Sequence, residues 1–237
     1  MKFIIANNHI VIPVETDRGI KNVLLDTGAG TSVLLDDNIT EIRIGEEPYT
    51  FGMIAILAAK MLDNQAINEL VGMEISACLG PDFLEGRNAL IDFENEEIYF
   101  NAPQPESGYS VEINTEFMGL PILNMSVNGT ALRTAFDSGA RYPFVKTDLE
   151  NELALGEPYD AFDDYNPMFG HFVANVYKAN INLGDCEFPN TPTATCAAYD
   201  NAANMVSVQA FLGIDCFIST GAKLWLSYPN QKMVIVK

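Results

Sequence analysis

Two short stretches carry residue types that can do chemistry together. Leu24-Leu25-Asp26-Thr27-Gly28-Ala29-Gly30 is echoed 111 residues later by Ala135-Phe136-Asp137-Ser138-Gly139-Ala140. In each, an apolar run suited to a buried strand delivers an aspartate, then a small hydroxyl residue, a glycine and an alanine. Burying an aspartate behind an apolar strand is costly unless the turn satisfies it, and a glycine two residues on lets backbone N–H groups approach the carboxylate closely. One such turn in each half of a duplicated chain sets two carboxylates face to face. Held within hydrogen-bonding reach, the pair cannot both ionise cheaply and shares one proton over a broad pH range. The ionised partner is then a general base for a bound water, while the protonated one donates to a carbonyl oxygen.

The elements that must position these turns recur in one order. Strands over His9–Glu15 and Lys21–Asp26 lead into the first turn, and Pro121–Val127, an Asn128-Gly129 hairpin turn and Ala131–Phe136 lead into the second. Ile42-Arg43-Ile44-Gly45 is matched by Ile181-Asn182-Leu183-Gly184, Ala77-Cys78-Leu79-Gly80 by Ala210-Phe211-Leu212-Gly213, and the hairpin Leu90–Phe100 by Trp225–Ile235. Such ordered recurrence is the mark of a duplication. The Pro- and Gly-containing stretch Asn101–Gly108 divides the chain into units 1–104 and 105–237. A helix is expected over Asp63–Leu70, with Asp63 as cap and Gly72 as stop, and a short one over Asp148–Leu155. Met53–Leu57 reads as a strand, paired in a hairpin that turns near Gly45–Pro48.

The 237 residues hold 32 acidic and 13 basic side chains, a net charge of −19. Without a Lys/Arg cluster to neutralise phosphates, nucleic acid is not an expected partner. No apolar run is long enough to span a bilayer, so no membrane partner is expected either. The start, Met1–His9, does not read as a signal peptide. Taken literally this favours the cytoplasm, although a chain trimmed to a mature start, secreted or periplasmic, looks the same. Four cysteines (Cys78, Cys186, Cys196, Cys216) form no C-x-x-C pair, and with His9 and His171 as the only histidines no metal centre or other cofactor is expected. Cys186 and Cys196 flank an expected hairpin and have the chance to pair in an oxidising compartment; free buried thiols are the reading adopted.

The chain resembles the pepsin and retropepsin superfamily of aspartic peptidases. The resemblance rests on Asp26-Thr27-Gly28-Ala29 with Val33 and Leu34 after it, Asp137-Ser138-Gly139-Ala140 with Phe144 and Val145 after it, and the apolar strands ending at Gly80 and Gly213. It implies a mainly β, duplicated acid-protease barrel of two pseudo-symmetric lobes with short helices. It also implies an aspartic endopeptidase with Asp26 and Asp137 as the catalytic pair, acting on a peptide or protein substrate. Thr27 and Ser138 would brace the two loops against each other, and Gly28 and Gly139 would offer backbone donors to the carboxylates. Because both motifs lie in one chain, a monomer suffices to form the pair.

Other readings stay open at this stage. A non-catalytic peptide-binding or structural module that kept the fold is the alternative, since function does not follow from fold. A hard-cation site on Asp26 and Asp137 is poorly supported because calcium draws on more oxygen ligands than this pair supplies. The second copy is 28 residues longer than the first between aspartate and matching glycine, 47 against 19, and the excess falls within 148–176. Residues 159–172 are the candidate flap over the cleft, with Tyr165 and Phe169 as substrate contacts and Ala29 and Ala140 as further cleft candidates. Arg141, standing where the first copy has Gly30, either lines the cleft or pairs with one of the many acids, and the ion pair is the expectation adopted.

Overall fold

The computed structural model describes residues 1–237, mainly strands with short helices. The first half runs β1 (Ile4–Ala6), β2 (His9–Thr16), β3 (Gly19–Leu25), β4 (Val33–Leu34), β5 (Ile42–Ile44), β6 (Glu47–Tyr49), α1 (Met53–Ala59), α2 (Asn64–Val71), β7 (Ala77–Leu79), α3 (Pro81–Leu84), β8 (Asn88–Asp92) and β9 (Glu97–Phe100). The second runs β10 (Tyr109–Glu112), β11 (Asn114–Glu116), β12 (Leu120–Val127), β13 (Thr130–Phe136), β14 (Phe144–Val145), a 3₁₀ turn at Thr147–Leu149, β15 (Asp160–Asn166), β16 (Gly170–Leu183), β17 (Cys186–Thr195), α4 (Ala197–Met205), β18 (Ala210–Leu212), α5 (Asp215–Thr220), β19 (Lys223–Ser227) and β20 (Lys232–Val236).

The strand register repeats the sequence duplication. β3 is parallel to β7, with Leu25 opposite Leu79, and β13 is parallel to β18, with Phe136 opposite Leu212. β4 and β14 then pair antiparallel with β7 and β18 on their other sides. Each aspartate-bearing strand therefore ends beside an apolar strand that enters from a distant part of its own half. Those apolar strands end in Gly80 and Gly213, where no side chain fits: a Cβ on Gly80 would stand 2.6 Å from the Thr31 carbonyl carbon, and one on Gly213 would stand 2.5 Å from that of Tyr142. A third sheet, ordered β10-β20-β19-β8-β9, takes strands from both sides of the 101–108 connection. That connection is pinned, because the Trp225 indole N–H donates to the Ala102 carbonyl at 2.9 Å. One apolar cluster of 45 buried residues runs through both halves. Smaller clusters lie around Val33, Ile67 and Cys78 in the first half and around Phe144, Tyr199 and Phe211 in the second.

Most elements fall where the sequence puts them. α2 starts on Asp63, whose carboxylate accepts the Ala66 N–H (3.1 Å), and stops at Gly72 in the left-handed region (φ 80°). Three do not. Met53–Leu57 is helix and not strand; Met, Ala and Leu favour helix, and only Ala55 of α1 is buried, so nothing enforces the alternation of a strand. Asp148–Leu155 holds only the end of a 3₁₀ turn followed by irregular turns. No hairpin lies between Cys186 and Cys196: Cys186 opens the single strand β17 and Cys196 directly follows its last residue, about 30 Å away at strand rise, so they cannot pair, and all four cysteines are free, the reading adopted from the sequence.

Candidate active site

The two Asp-containing turns meet through reciprocal hydrogen bonds. The Thr27 N–H donates to Ser138 Oγ (3.0 Å) and the Ser138 N–H to Thr27 Oγ1 (2.9 Å). Each hydroxyl in turn donates across the same divide, Thr27 Oγ1 to the Phe136 carbonyl and Ser138 Oγ to the Leu25 carbonyl, both at 2.9 Å. Thr27 and Ser138 are buried, so any one of these groups left unpaired would cost its full desolvation. This explains why only a small hydroxyl residue suits the position: it must donate and accept within one turn.

The glycines complete the cradle. The Gly28 N–H donates to Asp26 Oδ1 (2.8 Å) and the Gly139 N–H to Asp137 Oδ1 (2.9 Å). Each glycine also faces the opposite aspartate: a Cβ on Gly139 would stand 2.5 Å from Asp26 Cγ, and one on Gly28 2.5 Å from Asp137 Cγ. The two carboxyl groups are close enough to shift one another's titration. Burial raises both above the ordinary carboxylate range, and Asp137 is raised further by the Asp26 charge, while backbone N–H groups pull in the other direction. Two carboxyls raised together in this way titrate as a pair, and both residues keep some exposure to solvent.

Several supporting residues went unread in the sequence. Gly80-Pro81-Asp82 and Gly213-Ile214-Asp215 share an aspartate two residues after the glycine, a repeated signal that was available. Asp82 accepts the Ser32 N–H (2.5 Å) and hydroxyl (2.8 Å), fixing the chain that follows the first turn. Asp215 accepts the Asn8 amide (2.9 Å), so the β1–β2 hairpin of the first half is tied to the second. His9, next to Asn8 and almost fully buried, has Nδ1 3.3 Å from the Ala6 carbonyl; burial and the Arg141 charge hold its pKa down at about 4. Tyr199 is buried in the field of both aspartates, stacked on Phe144 at 3.7 Å, with its hydroxyl pKa pushed up by burial and by those charges.

The long second-half insertion is the hairpin β15–β16. Tyr165, near its tip, packs against the first-half cluster that contains Val33 and Ile67, and Ala29 packs against the same cluster, so this hairpin of the second half reaches the first. Phe169 is half-buried in the turn, its N–H donating to the Asn166 carbonyl (3.1 Å). Ala140 is buried at 1% exposure and presents no surface for a ligand. Arg141 departs from expectation. It forms no ion pair, its Nε is buried without a hydrogen-bond partner, and its guanidinium lies over the Phe162 ring at 5.2 Å. Asp164, an acid on which the Arg141 charge acts, accepts the Tyr165 N–H (2.9 Å). No three His, Cys, Asp or Glu side chains converge as a metal site, and no helix is long and apolar enough to cross a membrane. The surface hollows around Asn128 and Phe188 and around Pro103 and Lys223 are lined by neither aspartate of the pair.

No family model matches the sequence, and no characterised protein matches it by sequence. Among solved structures, the chain is similar to a retropepsin-like aspartic protease from Rickettsia conorii, with 13% identity and a TM-score of 0.37 over 54% of this chain and 90% of that one. It is also similar to the protease of Simian Foamy Virus (mac), with 19% identity and a TM-score of 0.29 over 40% of this chain and 90% of that one. The duplication and the joined Asp turns stand on this chain's own strand register and hydrogen bonds.

Proposed function

We propose that the protein is an aspartic endopeptidase in which Asp26 and Asp137 activate water for attack on a peptide carbonyl. The observation that carries this reading is the carboxyl pair: each set against the glycine of the other's turn with no room for a Cβ, and backed by the crossed Thr27 and Ser138 bonds. A pair used only to tie the halves together would not need carboxylates, since an Asn pair offers neutral hydrogen bonds without the cost of burying charge.

In the singly protonated pair, the ionised carboxylate takes a proton from water as the oxygen adds to the carbonyl carbon, and the protonated partner gives its proton to the carbonyl oxygen. The pair, still carrying one proton, gives it to the amide nitrogen as the C–N bond breaks, and a hydroxyl of the tetrahedral species returns its proton to the other carboxylate as the carbonyl re-forms, so that the pair ends with the single proton it began with. The β15–β16 hairpin, with Tyr165 reaching the first half, acts as the flap that covers the peptide and excludes water.

Digestion of a mixed peptide library, comparing wild type with Asp26→Asn and adding a statine-type inhibitor, tests the reading. Cleavage that vanishes with the substitution and with the inhibitor supports it. Well-folded protein that cleaves nothing, or an Asp26→Asn variant as active as wild type, contradicts it.

A further inference from the structure

The duplication makes Gly30 and Arg141 counterparts, each four residues after its aspartate, yet the two positions differ completely in chemistry. A Cβ on Gly30 (φ +71°) would meet only the side chain of Met118, an apolar and largely exposed residue of the β11–β12 turn. At the other position the backbone on either side of Arg141 is clamped, with Gly213 pressed against the Ala140 carbonyl oxygen and against the backbone of Tyr142. The side chain leaves that clamp partly exposed, its guanidinium over Phe162, whose ring is in turn met edge-on by Tyr142 at 5.2 Å.

The charge on Arg141 is conspicuously unmet. The other four arginines, Arg18, Arg43, Arg87 and Arg133, each lie within 4.0 Å of a carboxylate. Arg141 lies within that distance of none and makes no hydrogen bond, although the chain carries 32 acidic residues. A buried guanidinium nitrogen without a partner is expensive, and the cost is recovered when a planar anion accepts from the fork. Groups around it do not substitute. Asp164 of β15 lies in its field but is turned to the Tyr165 N–H, and burial holds its carboxyl above the ordinary range. His9, its pKa held down at about 4, is neutral above that pH and supplies no second cation there.

The geometry points to Arg141 as a specificity-determining residue that binds a carboxylate of the peptide, beside the catalytic pair and on the second-half side of the cleft. This rests on the endopeptidase reading and adds a substrate class to it: peptides with an acidic group at one end of the bound segment. The carboxylate is supplied either by an Asp or Glu side chain or by the peptide's own C-terminus. Guanidinium on an aromatic ring suits either, because stacking fixes its plane and leaves the N–H edge free.

The test measures binding separately from cleavage. Fluorescent decapeptides carrying Glu, Gln or Lys at each position in turn, with free or amidated C-termini, are titrated against Asp26→Asn and against Asp26→Asn combined with Arg141→Met or Arg141→Lys. The proposal predicts that one Glu position, or the free C-terminus, tightens binding about tenfold or more over Gln or the amide. Arg141→Met should abolish that gain and Arg141→Lys should keep part of it, with melting temperatures verifying that each variant is folded. Equal binding of Glu and Gln peptides and of free and amidated peptides, or a preference that survives Arg141→Met, overturns the proposal. So does an acid preference that emerges only after Asp164→Asn, since Asp164 would then be the natural partner. Wild-type cleavage of the same peptides reports independently on the endopeptidase reading: cleavage without acid preference removes the Arg141 role alone, and acid-selective binding without cleavage removes the catalytic reading alone.

Discussion

Asp26, Asp137 and the residues that hold them act as one unit, and substitutions should reveal that unity. Asp26→Asn or Asp137→Asn should lower kcat/KM by at least about a hundredfold, since either change removes the general acid–base step. Their stability effect has the opposite sign. Burial raises both carboxyls above their ordinary range, so their contribution to stability is full below the unfolded carboxylate pKa and is lost as pH rises through the folded values. Asp137→Asn should therefore raise Tm at pH 7 and have much less effect near pH 4, which thermal melts at the two pH values will check. His9 works the other way. Its pKa, lowered from 6.5 to about 4, means that stability falls as pH drops through that window, and His9→Gln should flatten that dependence. Gly28→Ala should cost about 1–3 kcal/mol through overpacking and also displace the Asp137 carboxyl, so that activity falls further than stability. At this scale the sequence was informative where a motif repeats, as at Asp26-Thr27-Gly28 and Asp137-Ser138-Gly139. It was silent at His9, which has no counterpart in the second half, and it misled at Arg141, because abundant acids suggest an ion pair without saying which way Asp164 faces.

Among the elements, the paired strands β3 and β7, and their counterparts β13 and β18, deliver each aspartate to the same depth, and their order was legible from apolar runs ending in Asp or Gly. The hairpin β15–β16 was legible only as surplus length. Its pairing, Asp160 opposite Val176 through Asn166 opposite Gly170, follows from side chains that pack on Phe144 and Tyr199, residues far away in sequence. α1 was misread because Met53-Ile54-Ala55-Ile56-Leu57 is apolar on every face, and periodicity cannot then separate helix from strand. If β15–β16 closes over bound peptide, Tyr165→Ala should raise KM several-fold with little change in Tm, since the ring is only half-buried at the hairpin's tip. Steady-state kinetics beside a melt will separate these, and an unchanged KM would remove the flap role.

The whole molecule is held together by more than the joined loops. The sheet β10-β20-β19-β8-β9 mixes strands from both halves, and the 45-residue cluster crosses between them. Calorimetry should therefore show one unfolding transition, and Trp225→Ala, which removes a fully buried ring and its bond to Ala102, should cost about 3–5 kcal/mol; two separate transitions would contradict the shared core. That sharing was only half visible in sequence, where the stretch around Pro103 and Pro105 reads as a loose connection and nothing signals that Trp225 pins it. The central claim, that the two halves exist to hold one proton between two carboxyls, is tested most directly by the pH dependence of kcat/KM from pH 3 to 8. With both carboxyls raised, the profile should be bell-shaped with a maximum at mildly acidic pH, falling on the alkaline side as the shared proton is lost. A profile that peaks below about pH 3, or one that Asp26→Asn leaves intact, would contradict it.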